Sequence, residues 1–115
     1  MITILHNPRC AKSREALALL QQHAADIKVI DYLKNPLTAR ELTELLAKLK
    51  IPARQLLRNK EDEYKQLGLD DMSLSEQQLI DAMAQQPKLI ERPVIIKADN
   101  AVIGRPASNI LPLIS

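Results

Sequence analysis

The chain has 115 residues, 46% of them hydrophobic and 26% charged, which suits one domain with a real core and excludes disorder, collagen or a whole-chain coiled coil. Lys and Arg total 16 against 14 Asp and Glu, for a formal charge of +2, and Tyr32 and Tyr64 are the only aromatic residues, so neither charge nor base stacking argues for a nucleic-acid partner. A single cysteine excludes an internal disulfide and a thiolate zinc cluster, and the longest aliphatic run, Ala16 to Leu20, falls far short of the roughly 20 residues of a membrane span.

The start, Met1 to Leu5, lacks the basic region and cleavage site of a signal peptide, so the cytoplasm is the expected compartment. Ile2-Thr3-Ile4-Leu5-His6 alternates and predicts a strand, broken by Asn7-Pro8. From Cys10 to about Ala24 the period is helical, with Ala16, Leu17, Leu20 and Ala24 on one face. Ile27 to Leu33 alternates again as a second strand, closed by Asn35-Pro36. Thr38 and Glu41 form a capping-box pattern, and Leu42, Leu45, Leu46 and Leu49 follow at helical spacing. Pro52 ends that helix or opens a short turn through Leu57; the polar stretch from Asn59 to Asp71, with Gly68 inside it, suits short turns and loop. Ser75 and Gln78 repeat the capping box ahead of Leu79, Ile80 and Met83, and Pro87 stops that helix. Pro93 to Lys97 and Ala101 to Ile103 form a hairpin with Asp99-Asn100 as its turn, and Ala107 to Leu113 makes a short helix with Pro112 near its end. The order β-α-β, helices, β-β-α specifies an α/β fold: a thioredoxin/glutaredoxin-like mixed four-stranded sheet in a single domain, residues 1–115, with a helical insertion between the second and third strands at about 38–86.

Cys10 carries the chemistry. A lone cysteine is more often a small buried hydrophobe. This one follows a strand and a proline turn, opens a helix, and stands among Arg9, Lys12, Ser13 and Arg14. Free N–H groups and the helix dipole at that place stabilise a thiolate and cradle an oxyanion, a plan for sulfur attack without a metal. Arg92 and Arg105 each precede a proline, which biases them toward extended backbone at one end of the expected hairpin. The guanidinium fork suits tetrahedral oxyanions, and a solvated surface role is equally open for both. Arg58 reads as surface by spacing alone, and His6 either tunes the thiol or makes a local hydrogen bond. The carboxylates, including the run Glu61-Asp62-Glu63, form no acid/base pair. With no second cysteine to resolve an oxidised Cys10, any redox cycle draws on an external thiol.

His6-Asn7-Pro8-Arg9-Cys10-Ala11-Lys12-Ser13-Arg14 resembles the H-N-P-x-C-x-x-S-R signature of the glutaredoxin-dependent arsenate reductases, the ArsC family. Tyr32-Leu33-Lys34-Asn35-Pro36, Leu56-Leu57-Arg58, Leu79-Ile80-Asp81, Arg92-Pro93-Val94 and Gly104-Arg105-Pro106 look like the same family, in register over nearly the whole chain. The resemblance implies Cys10 as nucleophile and Arg58, Arg92 and Arg105 as an arginine triad around arsenate. It implies that His6 helps lower the thiol pKa, that Asn7, Ser13 and Arg14 support substrate and loop, and that Pro93 follows a cis bond. It further implies arsenate as substrate, glutathione as co-substrate, glutaredoxin as partner, no bound cofactor or metal, and a monomer. Two other classes share parts of this pattern. Cys10-Ala11-Lys12-Ser13 is the Cys-x-x-Ser of a monothiol deglutathionylating enzyme. Spx-type regulators that bind RNA polymerase have a similar fold, often with a Cys-x-x-Cys switch in which Ser13 would be the second cysteine.

Overall fold

The computed structural model describes residues 1–23 and 26–114, so Ala24, expected on the first helix's inner face, lies outside the described residues. The chain divides into two units: Met1–Asn35 with the chain from Arg92 onward, and Pro36–Glu91.

The first unit is built on a sheet. β1 (Ile2–His6), β2 (Ile27–Asp31), β3 (Val94–Lys97) and β4 (Asn100–Ile103) lie in the order β2-β1-β3-β4. β1 and β2 are parallel, joined through α1 (Ala11–His23), while β3 is antiparallel to β1 and forms a hairpin with β4. This is the mixed four-stranded, thioredoxin-like sheet expected. Alternation decides what is buried: Ile2 and Ile4 of β1 join Ile95 of β3, Ala16 and Leu20 of α1, and Ile110 in one cluster. Leu5 is also buried and points to the other face.

Three local boundaries differ from expectation. β2 stops at Asp31 rather than Leu33, because the Asp31 carboxylate accepts from the N–H of Leu33 at 3.2 Å and turns the chain. Lys97 pairs with Asn100, so the hairpin turn is Ala98-Asp99, with Ala98 at φ 54°, not Asp99-Asn100. The C-terminal helix is a 3₁₀ turn, Ala107–Ile110, running into α6 (Leu111–Ile114), which places Pro112 in the first turn of α6 rather than near its end.

The second unit is helical: α2 (Ala39–Leu49), α3 (Ala53–Leu56), α4 (Asp62–Gln66) and α5 (Glu76–Gln85), then a 3₁₀ turn Pro87–Leu89. Both capping boxes close in full. Glu41 N–H donates to Thr38 Oγ1 at 3.1 Å and Thr38 N–H to Glu41 Oε1 at 3.0 Å; Gln78 N–H donates to Ser75 Oγ at 3.1 Å and Ser75 N–H to Gln78 Oε1 at 2.8 Å. Of the leucines expected at helical spacing on α2, Leu42, Leu45 and Leu46 are buried and Leu49, in its last turn, is half-buried; Leu79, Ile80 and Met83 are buried on α5, which packs against α2 and α3. The polar stretch is shaped by a side chain that sequence reading passed over. Arg54 donates to the Tyr64 hydroxyl at 3.1 Å and to the carbonyls of Leu69 at 2.9 Å and Asp71 at 3.2 Å, folding that stretch around one guanidinium. Gly68 lies inside it at φ 68°. No described helix is long and apolar enough to cross a membrane.

Candidate active site

Cys10 stands just before α1, and its carbonyl accepts the first helical hydrogen bond, from Arg14 N–H at 3.0 Å. That makes it the N-cap residue, the position where a side chain meets the free N–H groups of the next turn. Its sulfur does so. Burial pushes the Cys10 thiol up, but the N–H of Ser13, the Arg92 guanidinium and the N–H of Lys12 together outweigh it, and the net pKa lies below its ordinary value. The thiol is half-buried, and so open to attack a solute.

The loop that presents it is tied to the helix behind. Asn7 O accepts from Cys10 N–H at 3.0 Å, and Asn7 Oδ1 accepts from Arg9 N–H at 3.0 Å. Arg14 Nη1 donates to Pro8 O at 3.0 Å. Ser13 is fully buried, and its Oγ accepts from Asn7 N–H at 3.0 Å and lies 2.6 Å from His6 Nδ1. Burial lowers the His6 pKa, opposed by Asp31 and aided by Arg14, so the ring is neutral at pH 7. The Ser13 hydroxyl thus accepts from the Asn7 N–H and shares a hydrogen bond with Nδ1, linking the loop to the end of β1. His6 therefore supports the loop through Ser13, and the groups that lower the thiol pKa are two backbone amides and Arg92.

The sheet places the two proline-linked arginines. Val94 pairs with Ile103, and Gly104 N–H donates to Pro93 O at 2.9 Å, so Arg92 and Arg105 leave one end of the hairpin side by side. Gly104 is required there. A Cβ would come within 2.7 Å of Ile95 Cδ1 and 3.2 Å of Pro93 Cγ. The Arg92–Pro93 bond is cis, and the Arg105–Pro106 bond, which sequence reading did not single out, is cis too.

Arg58 belongs to the helical unit. Its Nε lies 3.2 Å from Glu61 and its Nη1 3.3 Å from Glu91, and its side chain is only 15% exposed. It is thus neither the surface residue its spacing suggested nor without partners. The two carboxylates were missed, Glu61 within an apparently solvated run and Glu91 because it is 33 residues away in sequence. The backbone fixes this pairing: Arg58 N–H donates to Leu89 O at 2.7 Å and Glu91 N–H to Leu56 O at 2.8 Å, flanking the Leu57–Ile90 bridge. Among the described residues no group of three or more His, Cys, Asp or Glu could hold a metal ion.

The chain is similar to known proteins. An arsenate reductase of Neisseria meningitidis is 44% identical over 110 residues, covering 95% of this chain and 94% of its own. The Escherichia coli K12 protein YfgD, described as uncharacterized, is 47% identical over 114 residues, covering 98% of this chain and 96% of its own. The solved arsenate reductase of Vibrio cholerae superposes with a TM-score of 0.94 at 43% identity, over 96% of this chain and 95% of that one. Residues 5–113, from the end of β1 through the Cys10 loop and both hairpin arginines into α6, match the ArsC family, to which this chain belongs.

Proposed function

We propose that this chain reduces arsenate to arsenite with Cys10 as nucleophile, using glutathione and glutaredoxin as external thiols. The observation that carries the reading is the Cys10 thiol at the start of α1, its pKa lowered by two helix amides and by Arg92. Arsenate reductases among the relatives support the choice of oxyanion.

The cycle balances without a second thiol in this chain. The Cys10 thiolate attacks arsenic(V), and one arsenate oxygen leaves as water. Glutathione displaces a second oxygen as water. A glutaredoxin thiolate then attacks the glutathione sulfur, the sulfur–arsenic electron pair stays on arsenic, and arsenic becomes arsenic(III). Hydrolysis of the Cys10–arsenic bond releases arsenite. Arg92 and Arg105 hold the oxyanion and the charge that builds on its oxygens. Arg58 completes the triad by family resemblance.

The test is a coupled assay with arsenate, glutathione, glutaredoxin and NADPH recycling. Arsenate-dependent NADPH loss should vanish in Cys10→Ser and fall about 10- to 100-fold in Arg92→Ala, the worth of a hydrogen bond to a charged group. The Arg92→Ala thiol should also titrate at higher pH, followed by thiolate absorbance. NADPH loss on a glutathione mixed disulfide without arsenate would instead make the chain a monothiol deglutathionylating enzyme.

A further inference from the structure

The Arg58 guanidinium is shared between two carboxylates that water screens poorly: its side chain is 15% exposed, and those of Glu61 and Glu91 are 27% and 25% exposed. Together the three side chains carry one more negative charge than positive. The hold is loose. Nη1 donates to Glu91 Oε1 at 3.3 Å, well beyond the roughly 2.7–2.9 Å of a strong charge-assisted bond. Glu61 Oε1 stands 3.2 Å from Nε but off the line of its N–H, so that buried N–H has no hydrogen-bond partner among the described residues. Nη2 has none among them either. Unused donors on a largely buried group leave room for an acceptor oxygen. Glu91 also directly precedes Arg92, so this cluster ends one residue from the guanidinium that hydrogen-bonds the Cys10 sulfur.

We propose that Glu61 and Glu91 set anion specificity by competing with oxyanions for Arg58. This rests on the reductase reading, in which Arg58 is one of three arginines around the oxyanion. A carboxylate that holds a guanidinium has two opposite effects on the anion the guanidinium would bind. It presets the donor, which helps, and it repels the anion, which hinders. Presetting needs short, in-line bonds, and these contacts are long or off-line. Repulsion needs only charge at short range with little water between, and both carboxylates supply it. Repulsion is the larger effect. An entering tetrahedral anion meets the donors of Arg58 with their charge already cancelled, so its binding before any reaction is weak. Phosphate, which Cys10 does not reduce, has only that weak binding. Arsenate is held further by its bond to the Cys10 sulfur, formed as an arsenate oxygen leaves as water. Glu61 and Glu91 therefore keep the site open to anions that the thiolate captures.

Inorganic phosphate is the probe, because its binding needs no turnover. Its dissociation constant is measured by titration calorimetry for the wild type, Glu61→Gln/Glu91→Gln, Arg58→Ala and the triple variant. Glutamine keeps the shape and an accepting oxygen, and the backbone bonds Arg58 N–H to Leu89 O and Glu91 N–H to Leu56 O are untouched. The double variant should bind phosphate about tenfold more tightly, since the anion then supplies the counter-charge that a largely buried guanidinium lacks. The triple variant should lose that gain, which ties it to Arg58 rather than to net charge. Glu61→Gln alone, which removes no hydrogen bond to Arg58, should gain about threefold, and it carries the same test if the double variant does not fold. Unchanged or weaker phosphate binding in the glutamine variants, or a gain that survives Arg58→Ala, overturns the proposal. In the coupled assay KM for arsenate should fall by a similar factor in the double variant, and phosphate should become the stronger inhibitor. Arsenate turnover with phosphate affinity unchanged across all four proteins removes the competition and leaves the reductase standing. The expected phosphate affinities without any arsenate turnover remove the reductase and leave the competition.

Discussion

Arg92 and Arg105 flank one end of the β3–β4 hairpin, whereas Arg58 sits in the helical unit between Glu61 and Glu91. The sheet unit aims its arginines with backbone: strand pairing, the Gly104 contact with Pro93, and the prolines that follow each arginine. The helical unit aims its arginine with charge, two carboxylates holding one guanidinium at 3.2 and 3.3 Å. The same division runs through both units. The sheet unit rests on non-local pairing, and its polar loop is tied by one buried serine, Ser13. The helical unit rests on side-chain devices, two local capping boxes and the longer-range Arg54 clamp.

The largest test of this contrast is in the cores. Leu20 and Met83 are both fully buried, one in each unit. Leu20→Ala and Met83→Ala should each cost about 2–5 kcal/mol in urea unfolding. Leu20 is packed against two strands and the C-terminal segment, so its site has less room to collapse, and it should cost more.

Next comes the loop tie. Ser13→Ala strands the half-buried Asn7 N–H and the buried His6 ring nitrogen, at a cost of about 1–3 kcal/mol. His6 adds a pH dependence whose sign is fixed. Its folded pKa is lowered by burial, so between that value and the unfolded value the unfolded chain binds the extra proton. Stability is therefore complete above about pH 6.5 and falls as pH drops below it. Urea midpoints for the wild type at two pH values should show this slope, and His6→Gln should flatten it. Thr38→Ala and Ser75→Ala should follow at about 1 kcal/mol each, since each removes the hydroxyl half of a capping box and leaves the half donated by the backbone N–H.

Much of this was legible because it is local. The four strands, both capping boxes and the burial of Leu42, Leu45, Leu79 and Met83 follow from alternation, helical spacing and hydroxyl–carboxyl chemistry within four residues. Cys10 at a helix start beside Arg9 and Ser13 was legible for the same reason. What was hidden depends on distant partners or on a backbone angle that side-chain identity disfavours. Glu91 meets Arg58 only because the Leu57–Ile90 bridge brings two ends of the helical unit together. Arg54 gathers Tyr64, Leu69 and Asp71 across a stretch with no hydrophobic period to mark its shape. Asp31 ends β2 early by capping the next turn with its own side chain, although the alternation continues to Leu33. The segments that follow β1 and β2 share a cavity, and only the parallel pairing of those strands makes neighbours of Arg9 and Lys34.

The smallest expected effects sharpen the contrast between backbone and charge most finely. Ala98 at φ 54° opens the β3–β4 turn, and Lys50 at φ 59° ends α2, both in the left-handed region that glycine enters freely. An L residue there costs about 1–2 kcal/mol, and glycine forfeits about 0.4–1 kcal/mol of that through the greater freedom of the unfolded chain. Ala98→Gly should therefore stabilise by about 0.5 kcal/mol. Lys50→Gly relieves the same strain, and the Lys50 N–H still reaches Leu46 O, at 2.8 Å. It also removes a cation from the carbonyl end of a helix, worth about 0.3–1 kcal/mol at low salt. So Lys50→Gly should gain less than Ala98→Gly in dilute buffer, and the two should converge as added salt screens the helix end. Equal gains in dilute buffer would mean that the end of α2 draws nothing from the lysine charge, and that its stop, like the hairpin turn, is a matter of backbone alone.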